Sequence, residues 1–157
     1  MQIFERALIV VGQPNDESMV YGVNRFSELI KLNIEVYMDR KCRHFGSDLQ
    51  TATFCVKDKI DVRKNIPICL CVLRKIVFFK IKCKVTRQPI WFRYSPKMKY
   101  KRIDGERFGI FFDQELLIEA TFSKHKFDAQ IKRIEDFFTQ CTVCINCTNL
   151  SCVDCPK

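Results

Sequence analysis

Glycine and histidine are both scarce in this sequence, and their scarcity excludes several kinds of catalytic site. The five glycines form no Gly-rich phosphate loop, and no GxSxG motif is present. The two histidines, His44 and His125, form no HExxH motif. Cys42 stands two residues before His44, but a Cys–His nucleophile needs a third, orienting group that the sequence does not identify. We therefore expect no enzymatic activity.

The sequence also lacks a long hydrophobic run, which bears on where the protein works. Its best candidate, residues 65–83, is interrupted by Arg74 and Lys75 and falls short of the roughly twenty apolar residues of a membrane helix. The apolar run near the N-terminus follows Glu5 and is too short for a secretory signal. We therefore expect an intracellular protein of the cytoplasm or nucleus, without a transmembrane segment. Its ten cysteines are then thiols or metal ligands rather than disulfides.

Alternation of apolar and polar residues predicts a fold dominated by β-strands. Residues 30–38 and 77–85 both alternate with a period of two, and 51–56 is rich in β-prone side chains. A Pro interrupts the apolar segment that continues after residue 90, and Asp104-Gly105 is typical of a hairpin turn. The prediction is an α+β fold: a predominantly antiparallel β domain of about seven to eight strands with one C-terminal helix.

The C-terminal helix is predicted from the one segment with strong helical spacing. Apolar residues recur from Phe127 to Phe138 at intervals of three and four, and Ser123 is suited to cap the helix. We place this helix at residues 127–140. The predicted organisation is a single globular domain, 1–140, followed by a cysteine-rich tail, 141–157.

A strongly basic segment lies between Arg74 and Ile103, where eleven lysines and arginines occur without an acidic residue. Alternate residues of a strand share one face and lie roughly 6.7 Å apart, so two paired strands would present a plate of cations. Trp91 lies among these cations and could form an exposed platform for an unpaired base. The residues predicted to bind nucleic acid are Arg74, Lys80, Lys82, Lys84, Arg87, Trp91, Arg93, Lys97, Lys99 and Lys101.

The same cations could be only the solvated face of a sheet, since lysines on an edge strand also prevent aggregation. Such a face normally mixes signs, because like charges opposite each other destabilise a strand pair. We therefore favour an anionic partner, and the net charge of +9 agrees with that choice. Nucleic acid is the strongest candidate, because phosphate neutralisation releases counterions and gives tight, sequence-independent binding. The sequence does not distinguish RNA from DNA.

Five cysteines occur in the last seventeen residues, in two CxxC pairs with one cysteine left over. Such pairs let two thiolates reach one tetrahedral zinc ion, and zinc would stabilise so short a tail. Alternatives are a site that uses Cys141 with Cys144, an iron–sulfur cluster whose spacing fails at Ser151, palmitoylation, and free or cross-linked thiols. We predict that Cys141 is spare. The predicted zinc ligands are Cys144, Cys147, Cys152 and Cys155.

A basic body joined to a cysteine cluster is similar in composition to the cysteine-rich nucleic-acid-binding accessory proteins of viruses. The leading interpretation is a non-enzymatic nucleic-acid-binding protein that uses a lysine-faced β-hairpin and a zinc-stabilised tail, in a viral accessory or regulatory role. The alternative is a structural or capsid-type subunit with the cysteine tail at subunit contacts. Homo-oligomerisation is compatible with either. Salt separates them, because phosphate contacts weaken steeply with ionic strength and apolar contacts do not.

Overall fold

The computed structural model describes the backbone of residues 3–145 and the side chains of residues 5–141. Within these residues the chain forms two antiparallel sheets and four α-helices. The strands are β1 (Ile9–Gln13), β2 (Glu17–Tyr21), β3 (Ser27–Ile30), β4 (Ile68–Cys71), β5 (Ile76–Lys82), β6 (Pro89–Arg93), β7 (Met98–Asp104), β8 (Arg107–Phe112) and β9 (Glu115–Thr121). The helices are α1 (Ile3–Arg6), α2 (Ile34–His44), α3 (Leu49–Lys57) and α4 (Lys124–Ile145).

The larger sheet joins two three-stranded meanders edge to edge. Its strand order is β3-β2-β1-β6-β5-β4, so β1 pairs with β6 in the middle of the sheet. The helices α2 and α3 connect the outer strand β3 to the outer strand β4. The smaller sheet has the order β7-β8-β9. The β5–β6 hairpin and β7 therefore belong to different sheets.

Helix α2 occupies residues that the alternating pattern predicted to be a strand, and that prediction is wrong. The side chain of Asn33 accepts a hydrogen bond from the backbone N–H of Glu35 (2.9 Å) and so caps the helix. Val36, which the alternation placed on the buried face, is 45% exposed. Five residues at helical spacing are buried. They form one largely apolar stripe along the segment, which is the pattern of a helix packed on a core. They are Ile34, Tyr37, Met38, Lys41 and Cys42.

Helix α3 corrects the second strand prediction, at residues 51–56. Asp48 caps this helix, because its carboxylate accepts the N–H of Thr51 at 2.7 Å. Ala52 and Val56, four residues apart, are the buried positions. The β-branched residues of this segment favour a strand, but that intrinsic preference is weak. The cap and the packing of the buried side chains outweigh it and favour a helix.

The larger sheet is covered on both faces. The side chains on both sides of its central strands are therefore largely buried, and most of them are apolar. One face packs against α2, with Val10, Phe78 and Trp91 of the sheet buried beneath Tyr37 and neighbouring residues. The other face packs against α4 and the smaller sheet. An aromatic cluster holds this second interface together, with ring centroids 4.8 to 6.4 Å apart. Its members are Phe79, Phe92, Tyr100, Phe108, Phe122 and Phe127.

The predicted fold class is confirmed. The chain is an α+β protein of antiparallel strands with a C-terminal helix. Nine strands are described rather than seven to eight, and α4 extends beyond the predicted 127–140, from Lys124 to Ile145. The hydroxyl of Ser123 accepts the N–H of Lys126 (3.3 Å), as expected of a cap. Across residues 3–145, no helix combines the length and the apolarity needed to cross a membrane.

Candidate nucleic-acid interface

The register of the β5–β6 hairpin decides where its cations lie. Lys80 is opposite Trp91 and Lys82 is opposite Pro89, near the end of β5. On the other side of β5, the short strand β4 pairs only as far as Phe78. Beyond Phe78, the described chain therefore places no strand against this edge of β5, and the edge borders a groove.

Three segments surround this groove of about 540 Å³: the loop after α3, the β5–β6 hairpin and the first half of α4. We call it the basic groove. No aspartate or glutamate of the described chain lines it. Its uncharged lining includes Asn65, Pro89 and Gln130. Its charged lining residues are Lys64, Lys80, Lys82, Arg87, Lys126 and Arg133.

The walls of the basic groove are joined by the buried side chain of Gln130. Its Nε2 donates to the carbonyl of Asn65 at 2.7 Å and to the carbonyl of Lys80 at 3.1 Å. Arg133 adds to this network, since its Nη1 donates to the carbonyl of Lys64 and to Oε1 of Gln130, both at 3.2 Å. Both acceptors of Arg133 are neutral, so its charge remains available to attract an anion.

Half of these cations were predicted from the sequence and half were not. Lys80, Lys82 and Arg87 lie in the predicted hairpin. Lys64, Lys126 and Arg133 come from segments remote in sequence, and only the fold brings them to the hairpin. A signal for the helical contribution was present, because residues 126, 130 and 133 are spaced four and three apart and share one helix face.

Lys84 was predicted to contact phosphate, but in the structure it pairs with a carboxylate. Its Nζ lies 2.6 and 2.8 Å from the two oxygens of Glu106, in the β7–β8 turn. A backbone hydrogen bond from Lys84 to Thr121 (2.8 Å) joins the same regions. Lys84 therefore links the two sheets.

Trp91 does not form the exposed platform that the sequence suggested. Its side chain is 4% exposed and packs in the core between the larger sheet and α2. The ammonium of Lys80 lies 5.5 Å from the centroid of this indole, a cation–π distance. The Trp91 ring thus contacts the ammonium of Lys80, and it is too buried to stack on a base.

The predicted cations Lys97, Lys99 and Lys101 do not belong to the same sheet as those of the β5–β6 hairpin. Lys97 directly precedes β7, and Lys99 and Lys101 are exposed on that strand. Among the described strands, β7 pairs with β8 alone, so the expected plate of paired, lysine-faced strands is wrong. The inward-facing residue between these lysines is Tyr100, whose hydroxyl donates to Asp128 of α4 at 2.8 Å.

The remaining predicted cations, Arg74 and Arg93, lie at the opposite end of the hairpin from the basic groove. Arg74 is in the β4–β5 turn and Arg93 ends β6 opposite Phe78. The seven residues of β5 separate the two ends by roughly 20 Å. Arg74 and Arg93 line a separate cavity of about 580 Å³ together with Lys97.

The predicted zinc ligands cannot be placed. Cys147, Cys152 and Cys155 lie outside the described residues, and Cys144 lies in α4 beyond the described side chains. Within the part of the chain whose side chains are described, no group of three or more His, Cys, Asp or Glu residues is arranged to hold a metal. Cys141, predicted to be the spare cysteine, is buried in the core beside α4 residues such as Ile134 and Phe137.

The comparison with protein families identifies the class of protein that carries this groove. The model described as "ComK protein" matches residues 8–144, which include both sheets and all but the last residue of α4. This chain belongs to the ComK family. ComK proteins are bacterial transcription factors of competence, and they bind DNA. Neither the curated proteins nor the solved structures yield a match.

Membership of the ComK family corrects the function inferred from composition. The interpretation as a viral accessory protein is wrong, and so is the capsid-type alternative, because the family consists of bacterial transcription factors. The description as a viral, zinc-binding protein is replaced by that of a DNA-binding family. The expected intracellular location agrees with a transcription factor, whereas a nucleus does not apply to a bacterial protein.

Proposed function

We propose that this chain is a non-catalytic, DNA-binding regulator of transcription and that its basic groove contacts the phosphate backbone of duplex DNA. The observation that carries the proposal is that six basic residues from three segments line one groove without a lining carboxylate among the described residues. Each cation that neutralises a phosphate releases condensed counterions, which favours binding. Such contacts position a protein on DNA without reading its sequence, so sequence selection is not assigned to the groove.

The groove can be tested by removing two of its exposed cations. The double variant Lys82→Gln with Lys126→Gln should keep the fold, because both side chains are solvent-exposed. If each lysine contacts one phosphate, the slope of log affinity against log salt should fall by about 1.8, and affinity at 0.1 M salt should fall roughly 60-fold. Fluorescence anisotropy with a labelled duplex, repeated from 50 to 300 mM salt, measures both.

A matched control is available on the outer face of the smaller sheet. The double variant Lys99→Gln with Lys101→Gln removes the same charge from positions that are equally exposed. Its salt slope should change by less than half as much, because only long-range attraction is reduced. The proposal fails if the control variant loses as much affinity and slope as the groove variant while both remain folded.

A further inference from the structure

The structure contains a second concentration of positive charge, at the end of the β5–β6 hairpin away from the basic groove. Here a cavity of about 580 Å³ lies between the β4–β5 turn, the end of β6 and α4. Among the described side chains, one carboxylate, that of Glu135, lines this cavity. We call this cavity the anion cleft. Its four lining cations are Arg74, Lys75, Arg93 and Lys97.

The two arginines of the anion cleft, Arg74 and Arg93, lie near aromatic residues. The guanidinium of Arg74 lies 5.7 Å from the ring of Phe45, which follows the last turn of α2. Arg93 is half-buried beside Phe78, its partner across the β5–β6 ladder. Neither arginine forms an ion pair with any described carboxylate. Both positive charges therefore remain uncompensated by a described acid.

A buried lysine lies near Arg93. Lys41 of α2 is 1% exposed, and its ammonium lies 4.9 Å from the ring centroid of Phe78. Burial, and then the charge of Arg93, lower the pKa of Lys41 to about 7. Burial, and then the charge of Arg74, lower the pKa of Arg93. Arg93 therefore repels both Lys41 and Arg74 when all three are charged.

Like charges gathered in a partly buried place destabilise the fold unless something of opposite sign joins them. Cys42 and Glu5 counteract the repulsion at Lys41, and Glu5 also lies 3.7 Å from His44. Arg74 and Arg93 carry planar, fork-shaped groups that match the oxygens of a phosphoryl group. A cavity with such a lining is suited to a compact, highly charged anion.

We propose that Arg74 and Arg93 form a binding site for a phosphoryl group, separate from the basic groove. The ligand chemistry is that of a phosphate ester or diphosphate. A backbone phosphate of DNA and a free phosphorylated small molecule share this chemistry. The site does not depend on the proposed role of the basic groove, because the two share no lining residue.

Inorganic pyrophosphate is the probe for this site. Isothermal titration at low salt should detect binding to the wild-type chain, and Arg74→Gln should weaken it by about tenfold, because one charge-assisted hydrogen-bonding group is lost. Arg74 is exposed in a turn, so this variant should remain folded. The double variant Lys99→Gln with Lys101→Gln is the control for non-specific charge and should bind like the wild type. Equal weakening in the control, or no binding by a folded wild-type chain, would overturn the proposal.

Binding of duplex DNA to the same variants identifies the source of the phosphoryl group. If Arg74→Gln also lowers the salt slope for DNA by about 0.9, the site holds a backbone phosphate. If it loses pyrophosphate and keeps DNA affinity, the site holds a free phosphorylated molecule. The basic-groove variant, Lys82→Gln with Lys126→Gln, should still bind pyrophosphate. Failure of the groove and failure of this site are therefore distinguishable.

Discussion

At the scale of single residues, the buried amide of Gln130 connects the fold to the candidate interface. Gln130 is 2% exposed and bonds the carbonyls of Asn65 and Lys80, which belong to opposite walls of the basic groove. A buried carbonyl without a partner is costly, so one uncharged side chain both stabilises α4 on the sheet and fixes the spacing of the cations around it.

Gln130→Ala should lower the free energy of unfolding by about 2 to 3 kcal/mol, since it removes two part-buried hydrogen bonds and buried volume. Urea unfolding followed by circular dichroism measures the change. Gln140→Ala is the control, because residue 140 is exposed on the same helix. Equal and small effects of the two substitutions would show that the Gln130 hydrogen bonds contribute little.

Lys41 gives a prediction about pH. Its pKa is lowered from 10.5 to about 7 by burial and by the charge of Arg93, against the weaker opposing effects of Cys42 and Glu5. Between these two pH values the unfolded chain binds more protons than the folded chain, so unfolding free energy rises with pH. Below pH 7 both states are protonated, and the cost of burying the charge is fully present.

The comparison with Lys41→Met isolates this effect, since methionine has a similar length and no charge. The variant should be more stable than the wild type near pH 6.5, and its advantage should shrink as the pH is raised to 9. Thermal unfolding at a series of pH values measures the difference. A difference that stays constant over this range would mean that Lys41 keeps its ordinary pKa.

At the scale of elements, α2 and α3 show where pattern reading failed and why. Residues 30–38 do alternate, but the alternation counted Val36 as buried and Tyr37 as exposed, whereas the fold buries Tyr37 and exposes Val36. Short segments can satisfy both periods, and capping decides between them. Asn33 and Asp48 were each visible as caps immediately before their helices, so the caps were the better signal.

The cap of α3 is a direct test of that explanation. Asp48→Ala should cost about 1 kcal/mol of stability, because the N–H of Thr51 loses its acceptor. Asp61→Ala, which removes the same charge from an exposed loop position, should change stability by less than half of that. Chemical denaturation of both variants provides the values, and equal losses would contradict a capping role for Asp48.

Two elements were predicted correctly because the spacing of their apolar residues fits only one kind of secondary structure. Most of the alternating segment 77–85 became β5, which ends at Lys82, and residues 84–86 form a turn instead. The apolar stripe of Phe127, Ile134 and Phe138 became the core-facing side of α4. The pairing of strands could not be read from these patterns. Lys82 and Lys99 both lie on lysine-rich strands, and only the topology separates them into two sheets.

At the scale of the whole molecule, the layers that pack on the two faces of the larger sheet determine where the positive charges lie. Helix α2 covers one face of the larger sheet, α4 with the smaller sheet covers the other, and α3 contributes buried residues to both cores. Because both faces of the sheet are occupied, cations of the hairpin are displaced to its two ends, where they meet cations from other segments. Sequence analysis recognised a basic surface and an anionic partner, but it could not find a site assembled from Lys64, Lys82 and Lys126.

Lysine footprinting on the DNA complex tests the location of that site most directly. Lysines are acylated with and without a saturating duplex, and the modified residues are quantified by mass spectrometry. The account predicts strong protection of Lys64, Lys82 and Lys126 and unchanged reactivity of Lys99 and Lys101, since the latter lie on the smaller sheet away from the basic groove. Protection of Lys99 and Lys101 with continued reactivity of the groove lysines would contradict it.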